Sequence, residues 1–203
     1  MTAPGVPRWS RCPALPLAGR TDAPVVLLVP TPDTRLRSAA RDLVRAALRE
    51  FLAPLLGCTP AMVPLHIEPG AAPRLKPASH AVHLSISHEA GLSLAAIRTG
   101  GRVGVDLMRA ADAAMPDWKT MAHDYLGPSA AQCLQDIDAS RRQQAFAQAW
   151  TRHEACLKCL GMALQEWSPG IAQEVALCSV FALALPPGYI GATAIMDQAP
   201  ARN

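Results

Sequence analysis

Trp150, Glu154 and Lys158 recur every four residues in the segment Trp150-Thr151-Arg152-His153-Glu154-Ala155-Cys156-Leu157-Lys158. A helix sets residues four apart on one face. That face would offer an apolar anchor, then a carboxylate, then an ammonium one turn further on. Upstream, the short apolar run Val103-Gly104-Val105 ends at Asp106, which reads as a carboxylate delivered by the end of a strand. Two acids able to share a divalent cation, with a lysine close by, suit the holding of a pyrophosphate. A third segment, Leu84-Ser85-Ile86-Ser87-His88-Glu89-Ala90-Gly91, adds a serine and a histidine at another strand end.

The elements that must position these groups can be read in order. Residues 1–22 are rich in proline and arginine and read as an irregular arm. Pro24 to Pro30 is an apolar run bounded by prolines and predicts a buried strand. Asp33-Thr34 can cap a helix running to Leu56 and ended by Gly57. Along that helix Arg37, Arg41, Arg45 and Arg49 recur every four residues. Like charges at that spacing repel, and a polyanion would relieve them. Residues 60–78 read as a proline- and alanine-rich loop. Val82–Ser87 and Leu92–Ile97 predict strands, and Thr99-Gly100-Gly101 turns into Arg102–Asp106.

The same order then recurs. Helices are expected near 117–126, over 128–137 and over 141–160, the last ended by Gly161. Strands are expected at Ala176–Leu185 and Tyr189–Met196. Leu55-Leu56-Gly57 matches Cys159-Leu160-Gly161 as a helix end, and Leu94–Ile97 matches Ala192–Ile195 in the closing strand. The expected fold is therefore α+β: two pseudo-twofold-related subdomains, each a long helix packed on a small antiparallel sheet. The boundaries are 23–101 for the N-terminal subdomain and 102–203 for the C-terminal one. Ligands often bind in the cleft between such halves.

Composition narrows the class. The chain has 203 residues, 50% of them hydrophobic and 17% charged, which suits a packed protein rather than a disordered one. A net charge of +3 with 4% aromatics and no nucleic-acid motif argues against nucleic-acid binding. No apolar run is long enough to span a bilayer, and no export signal is evident, so no membrane partner is expected. Six cysteines lack the rhythm of a disulfide framework. Cys156 and Cys159 lie in the expected helix without a second pair, so they read as reduced core thiols rather than zinc ligands. A reducing cytoplasm is the expected compartment.

Taken together, Ser87-His88-Glu89-Ala90-Gly91, Gly104-Val105-Asp106 and the Trp150–Lys158 segment resemble the 4′-phosphopantetheinyl transferase superfamily, whose pattern runs SH-x-G, then G-[IV]-D, then W-[ST]-x-K-E-[AS]-x-x-K. Gly70-Ala71-Ala72-Pro73-Arg74-Leu75 resembles the G-K-P-x-L that precedes them. The likeness is to the long duplicated type, which includes the surfactin-synthetase activator, and implies a monomer. It implies an enzyme that moves phosphopantetheine from coenzyme A to a serine of an acyl or peptidyl carrier protein, releasing 3′,5′-ADP. The alternative is a non-catalytic relative that binds coenzyme A or a nucleotide as a regulatory or partner module.

Roles follow from the resemblance position by position. Asp106 and Glu154 would hold magnesium, with manganese as the other cation left open. Glu154 would be the general base, and Lys158 would contact the pyrophosphate. His88 and Ser87 would bind coenzyme A, as would Arg41 and Arg45 near the 3′-phosphate. Arg74 would stand in for the lysine missing at Ala72, and Arg37 is a weaker candidate. Met108 replaces an acid found in many relatives. His153 replaces a lysine, so coenzyme A binding is expected to strengthen below about pH 6.5, the ordinary histidine value. Trp150 is expected in the core, and residues 159–187, with Met162, Leu164 and Trp167, would meet the carrier protein.

Overall fold

Strand β2 (Val25–Pro30) shows no polar alternation because both its faces are covered. It belongs to an antiparallel sheet of order β1-β2-β6-β5, with β1 at Ser10–Arg11, β5 at Val82–Glu89 and β6 at Leu92–Thr99. Leu27, Val29, Ala95 and Ile97 meet helix α1 (Arg37–Leu56) through Val44, Leu48 and Leu52. Val26, Leu28, Leu94 and Ala96 face the other way, onto Val103, Val105, Leu107 and Ile195 of a second sheet. This computed structural model describes residues 9–13, 22–33, 37–68, 71–76, 82–110 and 116–197.

The second antiparallel sheet has the order β7-β9-β8, with β7 at Gly101–Arg109, β8 at Ser179–Ala182 and β9 at Tyr189–Asp197. Its far face carries helix α4 (Ala139–Leu160). The layers thus run helix, sheet, sheet, helix, a mixed α+β architecture. The last strand in sequence lies between the two before it both in the β2-β6-β5 part of the first sheet and in β7-β9-β8. Both long helices end at a glycine with positive φ, Gly57 at 64° and Gly161 at 75°, where a left-handed residue satisfies the last carbonyls.

Gly104 sets how closely α4 approaches β7. A Cβ there would overlap the Ala155 carbonyl oxygen and the Cys159 amide nitrogen, both backbone atoms of α4. Backbone cannot swing aside as a side chain can. Gly104→Ala is therefore expected to cost about 3 kcal/mol, the upper end for overpacking. It should read as a lower denaturation midpoint at unchanged slope; a loss under about 1 kcal/mol would mean that α4 can lift without penalty.

Several expectations need correcting. Asp106 lies inside β7 and does not end it, because Leu107 and Met108 continue the alternation, one into the layer between the sheets and the other under α4. The 60–78 loop contains a 3-10 turn at Pro60–Met62 and a two-stranded ribbon of β3 (Leu65–His66) and β4 (Arg74–Leu75). The strand expected over Ala176–Leu185 shrinks to β8. Ahead of it stands helix α5 (Pro169–Val175), where Ser168 Oγ accepts from the Ile171 amide and Pro169 takes the first turn. The helix near 117–126 is a short α2 (Trp118–Met121) continued by a wide π turn at Ala122–Leu126, with α3 (Pro128–Asp136) next. Of the expected cap of α1, Thr34 lies outside the described residues, and Asp33 Oδ1 accepts from Arg109 Nη1 at 2.9 Å.

The N-terminal arm is tied down where it is described. Ser10–Arg11 pairs with β2, and Trp9 donates to Glu50 Oε2 at 2.9 Å and meets Phe51 edge-on.

Candidate active site

The two sheets meet where β5, an edge of the first, lies beside β7, an edge of the second. Ser85 and Ser87 point from β5 toward this seam. The Ser85 hydroxyl accepts from the Val105 amide at 3.1 Å, satisfying a buried edge-strand donor. One pleat further, the Ser87 hydroxyl donates to Asp106 Oδ1 at 2.9 Å. From the other side Lys158 Nζ donates to the same oxygen at 2.6 Å and stands 3.4 Å from Ser87 Oγ. Asp106 is only 7% exposed. A carboxyl group so buried needs a partner, and the lysine provides it.

Glu154 sits on α4 one turn before Lys158 and is half-buried. Burial pushes its carboxyl above the ordinary range, the negative charge of Asp106 pushes it further, and Lys158 pulls it back. Two carboxylates that repel each other beside one ammonium form a site short of positive charge. Oxygen donors of this kind suit magnesium, which takes one or two carboxylates and completes its shell with phosphate and water. Among the described residues no group of three or more His, Cys, Asp or Glu is placed to hold a metal ion.

Met108 explains why no third acid joins them. It lies on the same face of β7 as Asp106, but it is buried with Phe146 and Trp150 in the core under α4. Trp150 stacks on Phe146 and meets Tyr125 edge-on, with ring centroids 5.7 Å apart in each pair. It anchors the helix that carries Glu154 and Lys158.

Other residues singled out from the sequence are not drawn into this cluster. His88 alternates with Ser87 on β5 and so points to the α1 side of the sheet, where its Nδ1 is hydrogen-bonded to Ser93 Oγ at 2.8 Å. Arg41 is exposed, and Arg45 pairs with Asp42 at 3.0 Å. The backbone of α1 begins soon after β2 leaves the sheet opposite Leu92, so its first turns and His88 share one end of the fold. Of the Arg37 side chain nothing is described. Arg74 lies on the β3–β4 ribbon and pairs with Glu68 at 3.1 Å. Gly70 lies outside the described residues.

His153 also needs correcting. Its Nε2 is buried without a hydrogen bond among the described residues, and burial holds its pKa below the ordinary histidine value. The imidazole is therefore neutral at pH 7, and its protonation falls below the range expected from sequence. Ser93, which steadies His88, was not singled out in the sequence; its only signal was its place opposite His88 in the β5–β6 hairpin.

No helix of the described residues is long and apolar enough to cross a membrane. No curated protein matches the chain. The 4′-phosphopantetheinyl transferase superfamily model matches residues 102–182, from the start of β7 to the end of β8, a span that includes Asp106, Glu154 and Lys158 and leaves out β5 and α1. Residues 102–182 thus resemble the 4′-phosphopantetheinyl transferase superfamily, over less than half of the chain.

Proposed function

We propose that the protein transfers 4′-phosphopantetheine from coenzyme A to a serine of an acyl or peptidyl carrier protein. The observation that carries this reading is the meeting of Ser87, Asp106 and Lys158 at the seam, with Glu154 one turn away, inside or beside the matched span. In the reaction the carrier serine oxygen attacks the β-phosphorus of coenzyme A, and its proton passes to Glu154. The raised pKa of Glu154 makes it a stronger base than a solvated carboxylate. The bond from phosphorus to the bridging oxygen breaks, and 3′,5′-ADP leaves with the electron pair. Lys158, already at the seam, turns its ammonium to the charge that develops there.

Asp106 and Glu154 would hold magnesium, or manganese, which would supply Lewis-acid neutralisation of the pyrophosphate. His88 and Arg41, with Arg45 one turn further along α1, would take the remaining phosphate charge of coenzyme A. Arg74 is a weaker candidate, because Glu68 already holds it. The shared order of β2-β6-β5 and β7-β9-β8 and the glycine-ended helices support a duplicated unit divided near residue 101; that unit would work as a cytoplasmic monomer. Residues 159–187 would receive the carrier.

Incubation with coenzyme A, magnesium and an apo carrier protein, followed by intact-mass measurement of the carrier, tests the reading. Gain of one phosphopantetheine is expected. A carrier unchanged with every divalent metal would defeat the enzyme and leave the coenzyme A-binding module. The neutral His153 adds a second expectation: the Michaelis constant for coenzyme A should stay flat between about pH 6.5 and 8, above the ordinary histidine pKa. A constant that fell steadily as the pH dropped through 7 would show His153 titrating there, against its burial.

A further inference from the structure

Cys156 and Cys159 are three apart on α4 and both buried against Ala192 and Ala194 of β9. The sequence left them as an isolated pair. The turn between α5 and β8 brings Cys178 into the same cluster, and that turn is held by the Cys178 amide donating to Val175 O at 3.1 Å. Cys178 packs against this cluster beside both α4 thiols, and the Arg102 guanidinium lies near enough to add positive potential. Cys178 alone of the three is half-exposed, so a small molecule can reach it while the other two stay covered.

A partly exposed sulfur with two thiols packed beside it and a cation nearby has the surroundings of a reactive cysteine. The neighbouring thiols and the Arg102 charge hold the Cys178 pKa below the ordinary thiol range. Among the described residues Cys133 offers a contrast: it is exposed on α3 and lies in no such cluster.

We propose that Cys178 is a peroxide-reactive thiol that closes a disulfide with one of the two α4 cysteines. In the first step the Cys178 thiolate attacks hydrogen peroxide. An S–O bond forms, the O–O bond breaks, and the departing hydroxide takes a proton to become water. In the second, Cys156 or Cys159 attacks the sulfenic sulfur, the S–S bond forms, and the hydroxyl leaves as a second water with the proton of the attacking thiol. Two thiols are oxidised and one peroxide is reduced. The new bond would tie the turn ahead of β8 to α4 beside Lys158. The proposal stands independently of the transferase reading.

The test treats the reduced full-length protein with hydrogen peroxide at a few equivalents, blocks remaining thiols with N-ethylmaleimide, and maps the peptides. Loss of two hydrogens in the intact mass is expected, with Cys178 joined to Cys156 or Cys159 and Cys133 still blocked as a thiol. In Cys178→Ser the loss should disappear, and in Cys156→Ser it should persist through Cys159. The wild-type map decides alone if Cys178→Ser does not fold. Oxidation of Cys133 ahead of Cys178 would overturn the proposal. So would Cys178 proceeding to sulfinic acid without a disulfide, or native protein retaining zinc that shields the three thiols.

Discussion

Glu154→Gln is expected to lower phosphopantetheine transfer by roughly 10²–10⁴-fold, the range for losing a general base, while leaving the fold at least as stable at neutral pH. The two effects have one cause. Burial and the Asp106 charge raise the Glu154 pKa, so the ionised form that is needed as a base is also the form the folded protein disfavours. A carboxyl whose folded pKa exceeds its unfolded value binds more protons when folded, so its ionisation costs stability as pH rises through the folded value. The cost is absent below the unfolded pKa, about 4.3 for glutamate. Glutamine keeps the shape without the charge. The melting temperature of Glu154→Gln should therefore equal or exceed that of wild type at pH 7–8, and the gap should close as the pH approaches 4. Coenzyme A binding, followed by calorimetry, should survive. A variant that still modifies the carrier at near wild-type rate removes Glu154 from the chemistry. One that melts well below wild type at pH 7 makes it a structural acid.

The parts of this site that were legible in the sequence are those whose spacing is set within one element. Trp150, Glu154 and Lys158 share a helix face because of the 3.6-residue repeat, and the structure keeps them on α4 with Trp150 in the core. Gly57 and Gly161 end their helices because a residue without a Cβ tolerates positive φ. Approach between elements was harder to read. Asp106 was taken for a strand end because the apolar run breaks there, but the break marks a charge turned to the seam while the strand runs on to Arg109. The Ser87-His88 pair reads as one motif in sequence, and the strand's two-residue period sends its members to opposite faces. Only Ser87 reaches Asp106. Helix α5 was missed although Ser168-Pro169 is an N-terminal signature, because the apolar residues that follow were read as a strand. Cys178 could not be placed beside Cys156 and Cys159 without knowing how the chain turns back into β8.

Arg98 lay beyond sequence reasoning altogether, and it carries a stability effect outside the site as large as that expected of Gly104→Ala. It is 1% exposed, and its guanidinium reaches five acceptors from segments far apart in the chain. Nη2 meets Asp22 Oδ2 at 2.6 Å and Asp197 Oδ1 at 2.5 Å. Nε donates to Asp22 O at 3.1 Å, and Nη1 to Arg102 O at 3.2 Å and Met196 O at 3.0 Å. Removing one member of a buried ion pair typically costs 3–5 kcal/mol, but here the carboxylates of Asp22 and Asp197 keep 30% and 60% of their side-chain exposure and can be rehydrated. The larger share of the loss comes from carbonyls left without a donor, each worth about 1–3 kcal/mol when buried. Arg98→Met should thus destabilise by about 3 kcal/mol, a fall of roughly 6–12 °C in melting temperature for a chain of this size. Arg98→Lys should recover only part of it, since an ammonium cannot span the planar fork. Arg98 stands where β6 turns into β7, at the far end of the seam from Asp106. Transfer by Arg98→Met, measured at a temperature where the protein is still folded, should therefore match wild type. A melting temperature within a degree or two of wild type would mean that the guanidinium's contacts are offset by the cost of burying it.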